Sequence, residues 1–253
     1  MDINTKNALL GMIPIIVIWL LIGVVFLLPL STREQLALDA DNPRLVKAYT
    51  ASVTHFRTDH YLRNAFLFII LGILQFLLAR ELGIGRHMLI GNILIIALVP
   101  ITTFMLFPPF ALADIPLGVG SSGFLAGWFW ATVAYAGTGG TLALMFFVLY
   151  LTASFLLGLL VLSAWHRTLA LWIVAAGFIA LASRLPQIQS WTPKGKAGRL
   201  VYTIALIAPP VMFRPDIYQP AIVVHFASAL VGTFIAYLVT KRVIVNKMTK
   251  ENL

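Results

Sequence analysis

Residues 8–30 read ALLGMIPIIVIWLLIGVVFLLPL and contain no charged side chain. This run exceeds the roughly 20 apolar residues that a helix needs to cross a bilayer. It is also longer than the apolar core of a signal peptide, so it predicts a retained transmembrane helix. Several further apolar runs follow, and the whole chain is 60% hydrophobic and 11% charged. Because an ordinary soluble domain is about 25% charged, the sequence predicts an all-α polytopic membrane protein.

Eight spans are predicted, with Pro108-Pro109 ending the third and Pro209-Pro210 interrupting the seventh. Lys and Arg residues lie more often in the segments that this arrangement places inside, which predicts that both termini are cytoplasmic. We expect one transmembrane domain over 1–253, multi-pass in the cell membrane, with a prokaryotic inner membrane as its setting. Polar loops are predicted at 31–57 and 184–199, and a basic cytoplasmic tail at 241–253. The spans are expected at 8–30, 59–79, 88–107, 122–135, 141–164, 168–182, 200–212 and 218–240.

The net charge of +9 does not indicate a nucleic-acid partner. In a membrane protein, basic residues collect at the cytoplasmic ends of helices, where they face anionic lipid of the bilayer. The chain has no cysteine and no phosphate-binding loop. His55 and His60 have only Asp59 as a nearby carboxylate, so we expect neither a metal nor a cofactor.

A glycine-flanked serine pair, Gly120-Ser121-Ser122-Gly123, stands where the fourth span begins. A serine at a helix start lies close to free backbone N–H groups, which suits a nucleophile. It also suits an ordinary N-cap. Ser122 directly precedes Gly123 at the helix start and is the candidate nucleophile, whereas Ser121 is interpreted as a loop neighbour.

A second polar cluster, formed by His55, His60 and Asn64, lies at the start of the second span. His60 and Asn64 are four residues apart and share a helix face. Two neutral hydrogen-bond donors on one face can stabilise an oxyanion. A pair that only caps and packs the helix end is the alternative interpretation.

The last span contains His225, a candidate general base, and the small residues Ser228 and Gly232. Gly123 and Gly127 form a similar small-xxx-small face on the fourth span, and such faces let two helices approach closely. Both helices are predicted to run from outside to inside, so Ser122 and His225 lie at one depth. A hydroxyl–imidazole contact of the kind used in acyl transfer is then within reach. A buried histidine that only satisfies the core is the alternative.

At this point the chain resembles the rhomboid intramembrane serine proteases. The resemblance implies a Ser122–His225 dyad in a rhomboid-like helical bundle. His60, Asn64 and the Ser122 N–H would form the oxyanion hole, and His55 would support it. The implied substrates are transmembrane segments of other proteins, cut near the outer membrane face. The motifs carrying the resemblance are His55-x4-His60-x3-Asn64, Gly120-x-Ser122-Gly123 and His225-x2-Ser228-x3-Gly232.

The chain departs from that family at Ser228, where glycine is usual, and in lacking a Trp-Arg pair in the first outer loop. The stretch between Ser122 and His225 has room for three spans rather than one, which predicts a six-span core with two extra spans between the catalytic helices. Two other functions are alternatives: a catalytically inactive rhomboid-like protein that binds transmembrane segments, and a small transporter. A transporter predicts polar residues spread along a pathway, whereas these cluster at one depth. The sequence assigns no oligomeric state.

Overall fold

A computed structural model describes residues 2–110, 117–118, 120–136, 195–212, 224–225 and 227–239. The spans predicted at 141–164 and 168–182 and the tail at 241–253 lie outside the described residues. Two short strands, β1 (Leu38–Asp39) and β2 (Leu117–Gly118), pair antiparallel. The helices are α1 (Ile3–Phe26), α2 (Leu30–Leu36), α3 (Leu45–Ala51), α4 (Thr58–Leu82), α5 (Gly85–Phe110), α6 (Ser122–Tyr135), α7 (Gly195–Met212) and α8 (Ala227–Val239).

Three of the described helices are long and apolar enough to cross a membrane: α1, α4 and the 85–105 part of α5. Large apolar side chains point outward from all three, among them Val17, Ile73 and Ile90, each more than half exposed. Lipid tails, unlike water, accept such side chains without cost. The prediction of a helical membrane protein is therefore confirmed.

Capping residues set the ends of the long helices. The Asp2 carboxylate accepts a 2.8 Å hydrogen bond from the Thr5 N–H, so α1 begins at Ile3 rather than at residue 8. At the end of α4, Gly83 adopts a left-handed φ of 69°, which closes the helix and turns the chain directly into α5.

The predicted effects of the proline pairs were wrong. Helix α5 continues through Pro108-Pro109 to Phe110, and α7 runs without interruption through Pro209-Pro210 to Met212. Proline removes one backbone donor, but transmembrane helices tolerate this where neighbouring groups satisfy the freed carbonyls.

The predicted loops are also partly structured. The segment 31–57 contains β1, α3 and most of α2. In the segment 184–199, helix α7 already begins at Gly195, because the Glu81 carboxylate caps it. Glu81 accepts hydrogen bonds from the N–H groups of Lys196 and Ala197, at 2.8 and 2.6 Å.

Helix α6 lies at the centre of the described bundle, with every residue from Gly123 to Tyr135 buried. A helix that is apolar on all sides belongs in such a position. A buried polar network ties α6 to its neighbours. Gln75 Nε2 donates to Thr132 Oγ1 at 2.8 Å, and Asn92 Nδ2 donates to Gln75 Oε1 and to the Gly11 carbonyl, both at 2.9 Å. The network joins α1, α4, α5 and α6.

Candidate active site

Ser122 and His225 meet at one end of the bundle. Ser122 is the first residue of α6, and His225 lies in helical backbone just before α8. The Ser122 Oγ is 2.6 Å from the His225 Nε2, within hydrogen-bond reach for a nucleophile and its base. His225 is only 7% exposed, whereas Ser122 is partly accessible. The proximity expected from the sequence is present.

Glycines allow α6 and α8 to come this close. A Cβ atom on Gly232 would overlap the backbone of Gly127, and one on Gly127 would lie 3.1 Å from the Ser228 carbonyl oxygen. Gly123 faces the Ser228 side chain in the same way. The Ser228 hydroxyl donates to the Val224 carbonyl of its own helix at 2.7 Å. Ser228 therefore acts as a small packing residue whose hydroxyl is already satisfied.

The turn that leads into Ser122 depends on Gly120. Its φ is +123°, a conformation that residues with a side chain rarely adopt. A Cβ at this position would also lie 2.8 Å from the His60 Cε1 atom. The Gly120 N–H donates to the Ala51 carbonyl at 2.9 Å, and the adjoining strand β2 pairs with β1. The loop is thus held on one side by β1 and Ala51, which lie between α2 and α4, and on the other side by His60 of α4.

Ser121 lies in the turn before α6, as the sequence suggested, but it also makes a contact of its own. It occupies the N-cap position of α6, but its side chain makes no capping hydrogen bond. Its hydroxyl is fully buried and lies 3.4 Å from the His55 Nε2. The two adjacent serines therefore face two different histidines, His55 and His225.

His55 links this turn to α4 through a single ring nitrogen. Its Nε2 lies 2.8 Å from the Asn64 Nδ2 and 3.5 Å from the Ser121 backbone nitrogen. Because both neighbours are N–H donors, Nε2 is the acceptor, which assigns the ring proton to Nδ1. Burial, followed by the neighbouring His60, lowers the pKa of His55 to about 3, so the ring is neutral at pH 7.

Arg33 fixes the chain around His55, a role that the sequence did not reveal. Its Nη1 donates to the His55 carbonyl oxygen at 2.6 Å, and its guanidinium lies 4.9 Å from the centre of the Phe26 ring. An arginine that binds a carbonyl twenty-two residues away leaves no local sequence signature.

Of the predicted oxyanion donors, His60 lies beside the turn before Ser122, whereas Asn64 is linked to that turn through His55. Asn64 is bound to His55, which in turn faces Ser121, and His60 lies against Gly120. An amide nitrogen carries two hydrogens, so Asn64 retains a second one for another acceptor. At the start of α6, Leu125 donates to the Ser121 carbonyl. The N–H groups before Leu125 precede that first helical bond and have no acceptor within the helix.

Comparisons of the chain with protein-family models, curated proteins and solved structures give no match. Within the described ranges, no three His, Asp or Glu side chains lie close enough together to hold a metal ion.

The groups gathered at this site are hydroxyls, imidazoles, one amide and the free N–H groups of a helix start. These are the groups that acyl transfer through a serine requires.

Proposed function

We propose that the chain is a rhomboid-type intramembrane serine endopeptidase, with Ser122 as nucleophile and His225 as general base. The 2.6 Å contact between Ser122 Oγ and His225 Nε2 carries this proposal. The substrates are transmembrane segments of other membrane proteins, cleaved near the outer membrane face. The proposal includes eight spans, two of them additional to a six-span core, and both termini on the cytoplasmic side of a prokaryotic inner membrane.

In the first step, Ser122 Oγ attacks the carbonyl carbon of the scissile peptide bond while His225 Nε2 accepts the hydroxyl proton. The resulting tetrahedral intermediate collapses, and the imidazolium of His225 gives its proton to the leaving amine. An acyl-enzyme ester on Ser122 remains. A water molecule, deprotonated by His225, then hydrolyses this ester and restores the hydroxyl.

The negative charge of the intermediate is stabilised by donors already fixed before substrate arrives. The Ser122 N–H at the start of α6, the second N–H of Asn64 and a ring N–H of His60 are the proposed donors. His55 binds Asn64 through Nε2 and so limits the orientations open to that amide. Preorganised donors in a dry site need no reorganisation when the charge develops.

The other two functions account for fewer of these features. A protein that only binds transmembrane segments needs no serine hydroxyl on an imidazole nitrogen. A transporter needs polar groups along an open path. The polar side chains deep in the described bundle, Gln75, Asn92 and Thr132, are instead buried and bound to one another.

Fluorophosphonate labelling of the protein in membranes tests the proposal, with the adjacent serine as matched control. We expect wild type and Ser121→Ala to be labelled, and Ser122→Ala and His225→Ala to remain unlabelled. The same four proteins are compared for cleavage of a transmembrane reporter. Full reporter cleavage by Ser122→Ala would refute the assigned nucleophile. Loss of the label in Ser121→Ala, with the label retained in Ser122→Ala, would refute it as well.

A further inference from the structure

The end of the bundle opposite Ser122 carries an excess of positive charge. Helix α4 ends there, and α1, α5 and α7 begin there. In the described part of the chain this end has five basic and two acidic residues. The acidic residues are Asp2 and Glu81, and the basic residues are Lys6, Arg80, Arg86, Lys196 and Arg199.

Both acidic residues at this end are occupied as helix caps. Asp2 accepts hydrogen bonds from the N–H and hydroxyl of Thr5, each 2.8 Å long, and Glu81 caps α7 as described above. The ion pair found among the described residues is Arg57–Asp59, at the other end. Lys6 and Arg80 are exposed and form no ion pair within those residues.

An apolar groove lies between α1 and α4 and faces outward. Its volume is about 360 Å³, within the ~300–1,000 Å³ of small-molecule sites. Gly72 contributes to its depth, because the absence of a side chain there leaves the space beside Met12 open. Along α1 the groove runs from Leu9 to Trp19, roughly 15 Å at ~1.5 Å per residue. That length is half of a ~30 Å hydrocarbon core, the depth of one leaflet.

The groove and the positive charge form one continuous surface. On α4, the groove residues Ile69, Ile73 and Phe76 follow one another at helical spacing, and Arg80 is the next residue on that face. On α1, Lys6 precedes the groove residue Leu9 by one turn. A slot one leaflet deep thus ends at two cations that form no salt bridge within the described residues, although the charge of Arg80 still acts on the Asp2 carboxylate.

We propose that this surface binds an anionic phospholipid of the bilayer, with an acyl chain in the groove and the phosphate group against Arg80 and Lys6. The apolar lining selects a hydrocarbon chain, and the two cations select a negatively charged headgroup at the chain's end. Arginine suits this role because its planar guanidinium binds phosphate through two parallel N–H donors. The inference is independent of the proposed protease activity.

Tryptophan quenching by brominated lipids measures this binding directly, since Trp19 lines the groove. The full-length protein is reconstituted in vesicles that contain brominated-chain phosphatidylglycerol or brominated-chain phosphatidylcholine. The difference between wild type and Trp19→Phe isolates the Trp19 signal. We expect phosphatidylglycerol to quench Trp19 at lower mole fractions than phosphatidylcholine does.

Charge variants then test the headgroup contact. Lys6→Gln and Arg80→Gln should each reduce the preference for phosphatidylglycerol by roughly fivefold, the effect of one basic residue at an anionic surface. Arg63→Gln, on α4 near the opposite end, should leave the preference unchanged. Equal quenching by both lipids, or an unchanged preference in Lys6→Gln/Arg80→Gln, would overturn the proposal. Displacement of the lipid by millimolar inorganic phosphate would also overturn it, because the site would then bind free phosphate.

Discussion

Gly232 of α8 lies directly against the backbone of Gly127 of α6, with no space for a methyl group between them. The contact lies about two helical turns from the position of His225 and somewhat more than one turn from Ser122. Because backbone meets backbone here, main-chain atoms fix the separation of the two helices. Unlike side-chain atoms, they cannot move aside through a change of rotamer. This contact sets the distance between the serine and the histidine.

We therefore expect Gly232→Ala to push α6 and α8 apart. The added methyl group should lower the free energy of unfolding by ~1–3 kcal/mol, as overpacking of a closed core does. It should also abolish fluorophosphonate labelling of Ser122. Thermal unfolding, monitored by tryptophan fluorescence, measures the change in stability. Fluorophosphonate labelling of the same sample measures the change in reactivity of Ser122. Gly72→Ala is the control, because its methyl group would meet only the Met12 Cε, at 3.5 Å. Unimpaired labelling in Gly232→Ala would contradict the role of this contact.

Gly120→Ala tests the turn before Ser122. Alanine at φ +123° is strained by roughly 1–3 kcal/mol, and its Cβ would also press on the His60 ring. We expect loss of both thermal stability and reporter cleavage. Gly120→Ala/His60→Ala should recover the part of the stability loss that comes from the ring contact, while the backbone strain remains. If the double variant loses the sum of the single-variant effects, Gly120 and His60 do not interact.

Asn64→Ala separates an oxyanion donor from a structural residue. One such donor is typically worth ~10²–10³ in rate, so kcat for a transmembrane reporter should fall by that factor. Asn92→Ala is the matched control, because Asn92 is equally buried but bonds to Gln75 and Gly11. It should lower the unfolding temperature and leave kcat nearly unchanged. An Asn64→Ala enzyme with wild-type kcat would remove Asn64 from the oxyanion site.

Acidification should destabilise the protein through His55. An unfolded histidine binds a proton near pH 6.5, whereas the pKa of folded His55 is about 3. Below about pH 6.5 the unfolded state therefore binds more protons, and the free energy of unfolding falls until the pH reaches about 3. In His55→Gln, whose side-chain oxygen can still accept from Asn64, this part of the acid sensitivity should disappear.

Unfolding midpoints at about pH 7 and pH 5 measure the difference between wild type and His55→Gln. Equal acid sensitivity in wild type and His55→Gln would show that the burial of His55 does not control it.

The sequence predicted the start of α6 at Ser122 and the nearness of His225. Helical spacing and small-residue faces are local patterns, and the predicted direction of the two helices placed both residues at one depth. It did not predict the partner of Asn64. That hydrogen bond depends on the turn 52–57 folding back over α4, which Arg33 stabilises from outside the motif. The Ser121–His55 contact could not be predicted either, because it depends on the position of this turn and also on the backbone conformation at Gly120.

The sequence also did not predict that the helices continue through the proline pairs, or that Gln75 and Asn92 form a hydrogen bond. A proline pair signals a break only when no neighbour satisfies the freed carbonyls, and this depends on packing between helices. Gln75 and Asn92 each lie in an apolar run, where each looks like a single polar residue without a partner. Their pairing becomes visible only when α4 and α5 are placed side by side.

The separation of Ser122 from His225 along the chain, 103 residues, has a consequence for biosynthesis. At ~5–20 residues per second, a ribosome needs roughly 5–20 s to make the stretch between them. During that interval the nascent chain carries the serine but not yet the imidazole that faces it in the finished protein. The Ser122 hydroxyl and the His225 imidazole therefore meet only once α8 has entered the bundle, so their contact reports that this part of the bundle has assembled.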